Sequence, residues 1–392
     1  MPTRNILVDA TPILDRSGHR GIGRYVYDLL QGLEATRDEW RSSLNIRAVT
    51  HLGFHGEGST TSELAVAADL VRGQRGSLQD SIRWRRRLSL GSVSHGADVL
   101  HLTEAVGTPL IRGTRWGVTC YDLIPLRMPE QYLGGSRYKI ARRKATDRRR
   151  YCRADALVAI SERTRLDMID LLQIAPEKVT TVPTGIDLSH WLREASEQDR
   201  EMRARGGAGE RPYVLFVGEG DHRKGIATMM RALAAARRSA DVELIWVGRL
   251  PPNNLARFKE QAAEAGVTDA VRFAGFVADE DLAALYRGAL AMIFLSVLEG
   301  FGLPVAEALA ASCPVIVVEN SGSDEVAGDA GYVVSAGDHE AAGRAIVELA
   351  GNPEERARRV RLGQARVPRY DRKQMARGYV EVWQRMTAKR TA

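Results

Sequence analysis

Two glutamates, Glu299 and Glu307, stand eight positions apart in the stretch LEGFGLPVAEALAASCPVI, Leu298 to Ile316, on either side of a glycine-bearing turn. Pro304 suits the first turn of a helix, so Phe301, Gly302 and Leu303 fall where backbone N–H groups lack intrahelical acceptors. Glu307 then lies one turn into the helix, and Glu299, followed by Gly300, precedes it at a strand end. A carboxylate can grip both hydroxyls of a ribose. A second carboxylate facing the same space could reach a sugar hydroxyl beyond a pair of phosphates. Capping and surface charge account cheaply for one glutamate but leave the pair unexplained.

Two further features follow strand ends and suit phosphate. In FVGEGDHRKG, Arg223 and Lys224 lie at a strand-to-helix turn. Such a pair can neutralise a pyrophosphate, arginine by a bidentate fork and lysine as a point charge. A solvated turn is the plain alternative. In GHRGIGRY, Gly18, Gly21 and Gly23 open a helix, where glycines admit a ligand close to backbone and the helix N-terminus favours an anion. The spacing is not GxGxxG, and no acidic residue ends a second strand as a dinucleotide site requires. Taken alone, this motif reads first as a tight turn.

The surrounding pattern must position these groups. NILVDA, LNIRAVT, ADVLHLT, TRWGVTCYDLIP, ADALVAIS and KVTTVPTGID read as strands or strand-like runs, alternating with helices such as IGRYVYDLLQGLEAT and ERTRLDMIDLLQI. A loop with a short helix is expected from about Gly53 to Gly76. After TGID comes a polar stretch with ARGGAGERP, which has linker composition. The alternation then restarts with YVLFVGEG, VELIWVG, VRFAGF and LAMIFLSV, and PVIVVE and AGYVVSA read as short buried strands. Alternating strands and helices imply parallel sheets covered on both faces. The expectation is two doubly wound α/β domains, with ligands beyond the carboxyl ends of the strands in a cleft between them.

Composition agrees with that class. The chain has 392 residues, 44% hydrophobic and 27% charged, which suits two soluble globular domains. Its longest apolar run, ALAMIFLSVL, is strand-sized and far short of the roughly 20 residues of a membrane span. MPTRNILVDATPIL lacks the apolar core and cleavage site of a signal peptide, and three scattered cysteines make no disulfide framework, so a cytoplasmic location is expected. Eight histidines show no metal-ligand spacing, and neither a metal nor another cofactor is expected. A net charge of +7, mostly from arginine, suits phosphates or an anionic surface.

The segment LSVLEGFGLPVAEALAASCPVIVVENSGSDEVAGDAGYVV closely resembles the Glu-x7-Glu signature of family 4 of the retaining glycosyltransferases, which have the GT-B fold. The likeness extends over almost the whole chain, because GIGRYVYDLL, YDLIPLRMPEQYL, VAISERTRLDMI, VPTGID, VGEGDHRKG and GFVADEDLAALYRGA occur in that family's order. It implies that Glu307 holds a nucleotide ribose and Glu299 contacts the donor sugar. Arg223 and Lys224 would hold the diphosphate, helped by backbone near Gly21 and Gly302, and Phe276 and Val277 would lie beside the base. It also implies an N-terminal acceptor-binding domain over 1–187, with about 370–392 crossing back to it as the helix YDRKQMARGYVEVWQRM, and a nucleotide-sugar-binding domain over 188–369. Three departures stand out. Glu219 occupies a place where many relatives carry arginine, leaving Arg223 to substitute. Tyr121-Asp122 stands for the usual His-Asp, so Tyr121 either replaces the histidine or marks a different sugar. Ser312-Cys313 replaces a glycine-containing turn, with Cys313 read as a small buried residue.

The reaction this implies is transfer of a hexosyl group from a nucleoside-diphosphate sugar to a saccharide or a polyprenyl-diphosphate-linked saccharide, with retention and without a covalent intermediate. GDP-mannose is the favoured donor, since the N-terminal half is similar to bacterial enzymes of O-antigen and exopolysaccharide assembly. UDP or dTDP donors, and a non-catalytic partner in a polysaccharide assembly complex, are the alternatives. Arg137 to Arg153 carries nine Lys/Arg, among them Arg142, Arg143 and Lys144, against one acid, Asp147, and Trp84 is flanked by four arginines. A solvated face, an acceptor site and a docking surface for the inner membrane are all open readings of these runs. Nucleic acid is not expected, since no binding module for it is present.

Overall fold

A computed structural model describes residues 3–13, 21–50, 53–54, 96–105 and 114–388. Its contacts divide the chain into two compact units, Met1–Gly185 with Arg369–Ala392, and Ile186–Pro368. The divisions fall within two residues of the sequence-based boundaries. The loop expected near 53–76 lies almost wholly outside the described residues.

In the first unit, β1 (Arg4–Asp9), β2 (Leu44–Thr50), β3 (Gly53–Phe54), β4 (Val99–Leu102), β5 (Arg115–Cys120), β6 (Ala156–Ala159) and β7 (Val179–Thr181) form one sheet in the order β3-β2-β1-β4-β5-β6-β7. Every pairing is parallel except β2 with the two-residue edge strand β3. The inner strands β1, β4, β5 and β6 are buried along most of their length, as a sheet covered on both faces requires. The strand read through TRWGVTCYDLIP stops at Cys120. There the Asp122 carboxylate accepts the Ile124 N–H at 3.0 Å and turns the chain into a one-turn helix, Ile124–Arg127. α1 (Gly21–Ala35) buries Val26, Leu29, Leu30 and Leu33 on one stripe. α2 (Arg137–Cys152) is started by the Ser136 hydroxyl, which accepts the Lys139 N–H, and buries only Asp147 and Tyr151. α3 is Glu162–Leu172.

The second unit repeats the scheme. β8 (Tyr213–Val217), β9 (Glu243–Val247), β10 (Val271–Gly275), β11 (Ala291–Phe294), β12 (Val315–Val318) and β13 (Gly331–Val334) are all parallel, in the order β10-β9-β8-β11-β12-β13. Between and after them run α4 (Ile226–Arg237), α5 (Pro252–Glu264), α6 (Asp279–Gly288), α7 (Leu303–Ala310), α8 (His339–Gly351) and α9 (Pro353–Arg366). Two expectations need correction. β13 is an edge strand with Val333 48% exposed, so it is only half buried. The polar stretch after TGID is not a linker, since short helices form at Leu188–Trp191 and Asp199–Arg205. Trp191 is fully buried edge-on to Tyr286, and Arg287 donates twice to Asp199, at 2.7 and 3.0 Å. Cys313 is buried, as read, and burial pushes its thiol up to about 12.

The last helix, α10 (Arg372–Ala388), returns to the first unit and packs on α1. Tyr379 of α10 sets its hydroxyl 2.7 Å from that of Tyr25 and 2.6 Å from that of Thr119, and Thr119 in turn meets His101 at 3.0 Å. Burial holds His101 down at about 3, so this buried ring is neutral. Gly32 lets the two helices touch, because a methyl group there would run into the Arg372 carbonyl. Gly32→Ala is therefore expected to lower stability by about 1–3 kcal/mol, read by urea denaturation. An unchanged midpoint would show that the α1–α10 contact is loose.

Candidate active site

Strands leave the second sheet's centre in opposite directions from β8 and β11. The carboxyl ends of those two strands flank the switch point, where doubly wound sheets bind ligands. The chain after β8 makes a single 3-10 turn, His222–Lys224, whose start is tied by the Asp221 carboxylate accepting the Arg223 N–H at 3.3 Å. Gly225 ends the turn at φ 64°, in the left-handed region, and a methyl group there would strike the Leu295 carbonyl. The loops after β8 and β11 thus touch backbone to backbone, and the Val297 N–H donates to the Arg223 carbonyl at 2.8 Å.

That contact delivers two cations to one carboxylate. Arg223 Nη1 lies 2.7 Å from Glu299 Oε2, and Lys224 Nζ lies 2.6 Å from Glu299 Oε1. Lys224 also sits over the Phe294 ring, 4.6 Å from its centroid. Burial by itself would raise the Glu299 pKa. Lys224 and Arg223 outweigh it and hold the carboxyl below the usual glutamate range. Burial pulls Lys224 down, which Glu299 offsets only in part.

Glu307 sits in α7 and is 5% exposed, and Glu299 is 9% exposed. Surface charge therefore explains neither glutamate. The Tyr286 hydroxyl approaches Glu307 Oε2 at 3.4 Å. α7 opens on Gly302, at φ 111°, with Leu303 and Pro304 in its first turn and no side chain capping it. A methyl group at Gly302 would press on Ser323 at 3.0 Å. Phe301 is buried beneath the turn, and the Glu299 N–H donates to the Ser321 carbonyl.

Two strands away from β8, Gly275 at φ 70° ends β10 and turns out Phe276, which is 67% exposed, while Val277 is buried. The Arg249 guanidinium, from the loop after β9, lies 4.8 Å over the Phe276 ring. In the first unit, Gly21 begins α1 at φ 47° and Gly23 is buried in its first turn, while Gly18 lies outside the described residues. Tyr121 follows β5, meets the Tyr25 ring edge-on at 5.0 Å, and accepts the Thr164 hydroxyl on its carbonyl at 3.1 Å. Arg142 and Lys144 are exposed on α2. Arg143 is not a free surface charge, because it turns onto the buried carboxylate of Asp147 at 2.5 Å, an i,i+4 pair. Trp84 lies outside the described residues.

Spacing alone missed Tyr286 and Arg249. Tyr286 reads as one more apolar residue of α6, and Arg249 gives only its place at a strand end as a signal. Among the described residues no three His, Cys, Asp or Glu side chains gather as metal ligands, and no helix is long and apolar enough to cross a membrane.

Family models extend over both units. One, described as Glycosyltransferase Family 4, matches residues 19–190, and another, Glycosyl transferases group 1, matches residues 197–366. The chain carries a domain that matches Glycosyltransferase Family 4 and one that matches Glycosyl transferases group 1. It is 33% identical over 224 residues to the D-inositol 3-phosphate glycosyltransferase of Salinispora arenicola, covering 53% of this chain and 50% of that protein. It is 31% identical over 176 residues to the MMP alpha-(1->4)-mannosyltransferase of Mycolicibacterium hassiacum, covering 45% of this chain and 39% of that protein. The chain thus spans about half or less of the length of these relatives. A solved glycosyltransferase from Rickettsia africae ESF-5 superposes with a TM-score of 0.73 at 14% identity, over 100% of both chains. The chain has the GT-B fold.

Because the folded Glu299 pKa is depressed, its stabilising effect is complete above the usual glutamate range and fades as pH falls through the folded value. Glu299→Gln is expected to lose about 3 kcal/mol or more near neutral pH, as when one partner leaves a buried ion pair. The deficit against wild type should shrink below roughly pH 4. Urea denaturation across that range checks it, and a deficit independent of pH would mean the carboxyl is not ionised.

Proposed function

We propose that this chain transfers a hexosyl group from a nucleoside-diphosphate sugar to a saccharide or lipid-linked saccharide, with retention at the anomeric carbon. The observation that carries the reading is the buried pairing of Arg223 and Lys224 with Glu299 at the switch point. Two cations share one carboxylate there, which leaves positive charge for a leaving diphosphate and a carboxylate beside it for the sugar. On this reading Arg223 and Lys224 stabilise the charge that develops on the diphosphate, and the diphosphate oxygen takes the acceptor's proton on the same face of the sugar. Rate then comes from positioning and electrostatics, without an enzymic nucleophile. Positive side chains do the neutralising, so the reading requires no metal.

Glu307 is assigned to the ribose hydroxyls, with Tyr286 steadying its second oxygen. Mannose from GDP-mannose is the favoured donor group, supported by the relative named as a mannosyltransferase. The first unit is assigned to the acceptor, and Tyr121 is assigned to contact with a sugar. The exposed Arg142 and Lys144 of α2, with Tyr138 73% exposed beside them, suit an anionic lipid surface that would carry such an acceptor. Co-flotation with anionic vesicles, lost in a double variant Arg142→Glu and Lys144→Glu, is the expected outcome. Equal flotation of the two proteins would sink the membrane assignment.

Thermal stabilisation by GDP, UDP, ADP and dTDP, each without metal, tests the donor site. Stabilisation by at least one nucleotide, lost in Glu307→Ala, is expected. No stabilisation by any of them would refute the donor-site reading and favour a non-catalytic partner.

A further inference from the structure

Transfer from a nucleoside-diphosphate sugar changes the charge that the cations must hold. The bond from the anomeric carbon to the diphosphate oxygen breaks, its electron pair stays on that oxygen, and the acceptor oxygen bonds to the carbon. The acceptor's proton passes to the diphosphate and is lost to water near neutral pH, since a terminal phosphate has its second pKa at about 6. The product diphosphate then carries one more negative charge than the sugar ester did. A pocket lined by cations alone would hold that product more tightly than its substrate, because attraction grows with charge.

Arg223 and Lys224 do not stand alone. Glu299 gives one oxygen to each, Oε2 to Arg223 Nη1 at 2.7 Å and Oε1 to Lys224 Nζ at 2.6 Å. The Lys224 and Arg223 side chains keep 12% and 19% of their exposure, so salt and water screen the three charges weakly. The carboxylate is ionised there, because the two cations outweigh its burial. Asp221 attracts Lys224 less than Glu299 does, and its carboxylate is turned to the Arg223 backbone N–H. The Val297 N–H, donated to the Arg223 carbonyl at 2.8 Å, pins the two loops together. An anion that reaches these cations therefore arrives beside Glu299.

We infer that the charge of Glu299 discriminates against the free nucleoside diphosphate, so that product does not outcompete donor for the cations. The inference rests on the donor-site reading proposed above. A fixed negative charge weakens the hold on every anion, and weakens it most for the anion of highest charge. A sugar ester has hydroxyls that can donate to the carboxylate, in bonds strengthened by its charge. The bare terminal phosphate offers acceptor oxygens in their place. Glu299 is thus a specificity-determining residue through its charge rather than its shape.

Isothermal titration at pH 8 compares GDP with its terminal methyl ester, and UDP with the ester of UDP. Each ester lacks one negative charge and has no sugar hydroxyl, so the comparison isolates charge. Wild type should bind the free diphosphate no more than about threefold tighter than its ester. In Glu299→Gln that preference should grow about tenfold, while Glu299→Asp, which keeps the charge, should stay near the wild-type ratio. A larger preference for the free diphosphate in wild type overturns the inference without any variant, which guards against a Glu299→Gln protein that fails to fold. A Glu299→Gln ratio within about threefold of wild type, or a Glu299→Asp ratio that rises with it, overturns the role of Glu299 and leaves the donor site standing. No binding of any nucleotide to wild type overturns both.

Discussion

One carboxylate between two cations governs the second unit's site. Glu299 is nearly buried, and so are the lysine and arginine that reach it from the loop after β8. Two cations in so little water are tolerable only with the carboxylate between them, since removing it strands like charges side by side. The cluster therefore fixes more than its own geometry. It requires the loops after β8 and β11 to lie in contact, which the left-handed Gly225 allows by leaving room for the Leu295 carbonyl. It also leaves the cations already positioned, so an arriving anion meets a field that needs little rearrangement.

Neighbouring loops inherit that order. Glycines without side chains at 218 and 248 let three strand ends lie backbone to backbone, and the Trp246 ring packs against Phe258 and Phe273 beneath them. On the other side, Gly302 turns the chain into α7 against Ser323, which places Glu307 in the helix while Glu299 stays in the loop. Eight positions of sequence thus separate two carboxylates with different partners. Glu299 meets fixed positive charge, and Glu307 meets a phenolic hydroxyl.

Much of this was legible in the sequence wherever the signal is local. Strand-like runs alternating with helical ones marked the parallel sheets, and IGRYVYDLLQGLEAT marked α1. Errors arose where a distant residue decides. The segment ARGGAGERP has the composition of a linker, yet Trp191 and Asp199 just before it are held by Tyr286 and Arg287, about ninety positions on. Arg143 sits in a basic run, but the burial of Asp147 draws it out of the exposed set. The partnership of Glu299 with Lys224, 75 positions earlier, lies beyond any spacing argument, because only the strand order brings those loops together.

The return of α10 to the first unit has a temporal side. Met1–Gly185 begins the chain, but its buried hydroxyl chain through Tyr25, Thr119 and His101 is closed by Tyr379, and α1 is covered by residues from Arg372 onward. Ile186–Pro368 is in effect an insertion between the two pieces of the first unit. During synthesis every residue of the second unit leaves the ribosome before α10, so part of α1 has no cover until α10 follows. A chain cut short before Arg372 would keep every residue of the second unit's cation cluster and still lack a finished first unit.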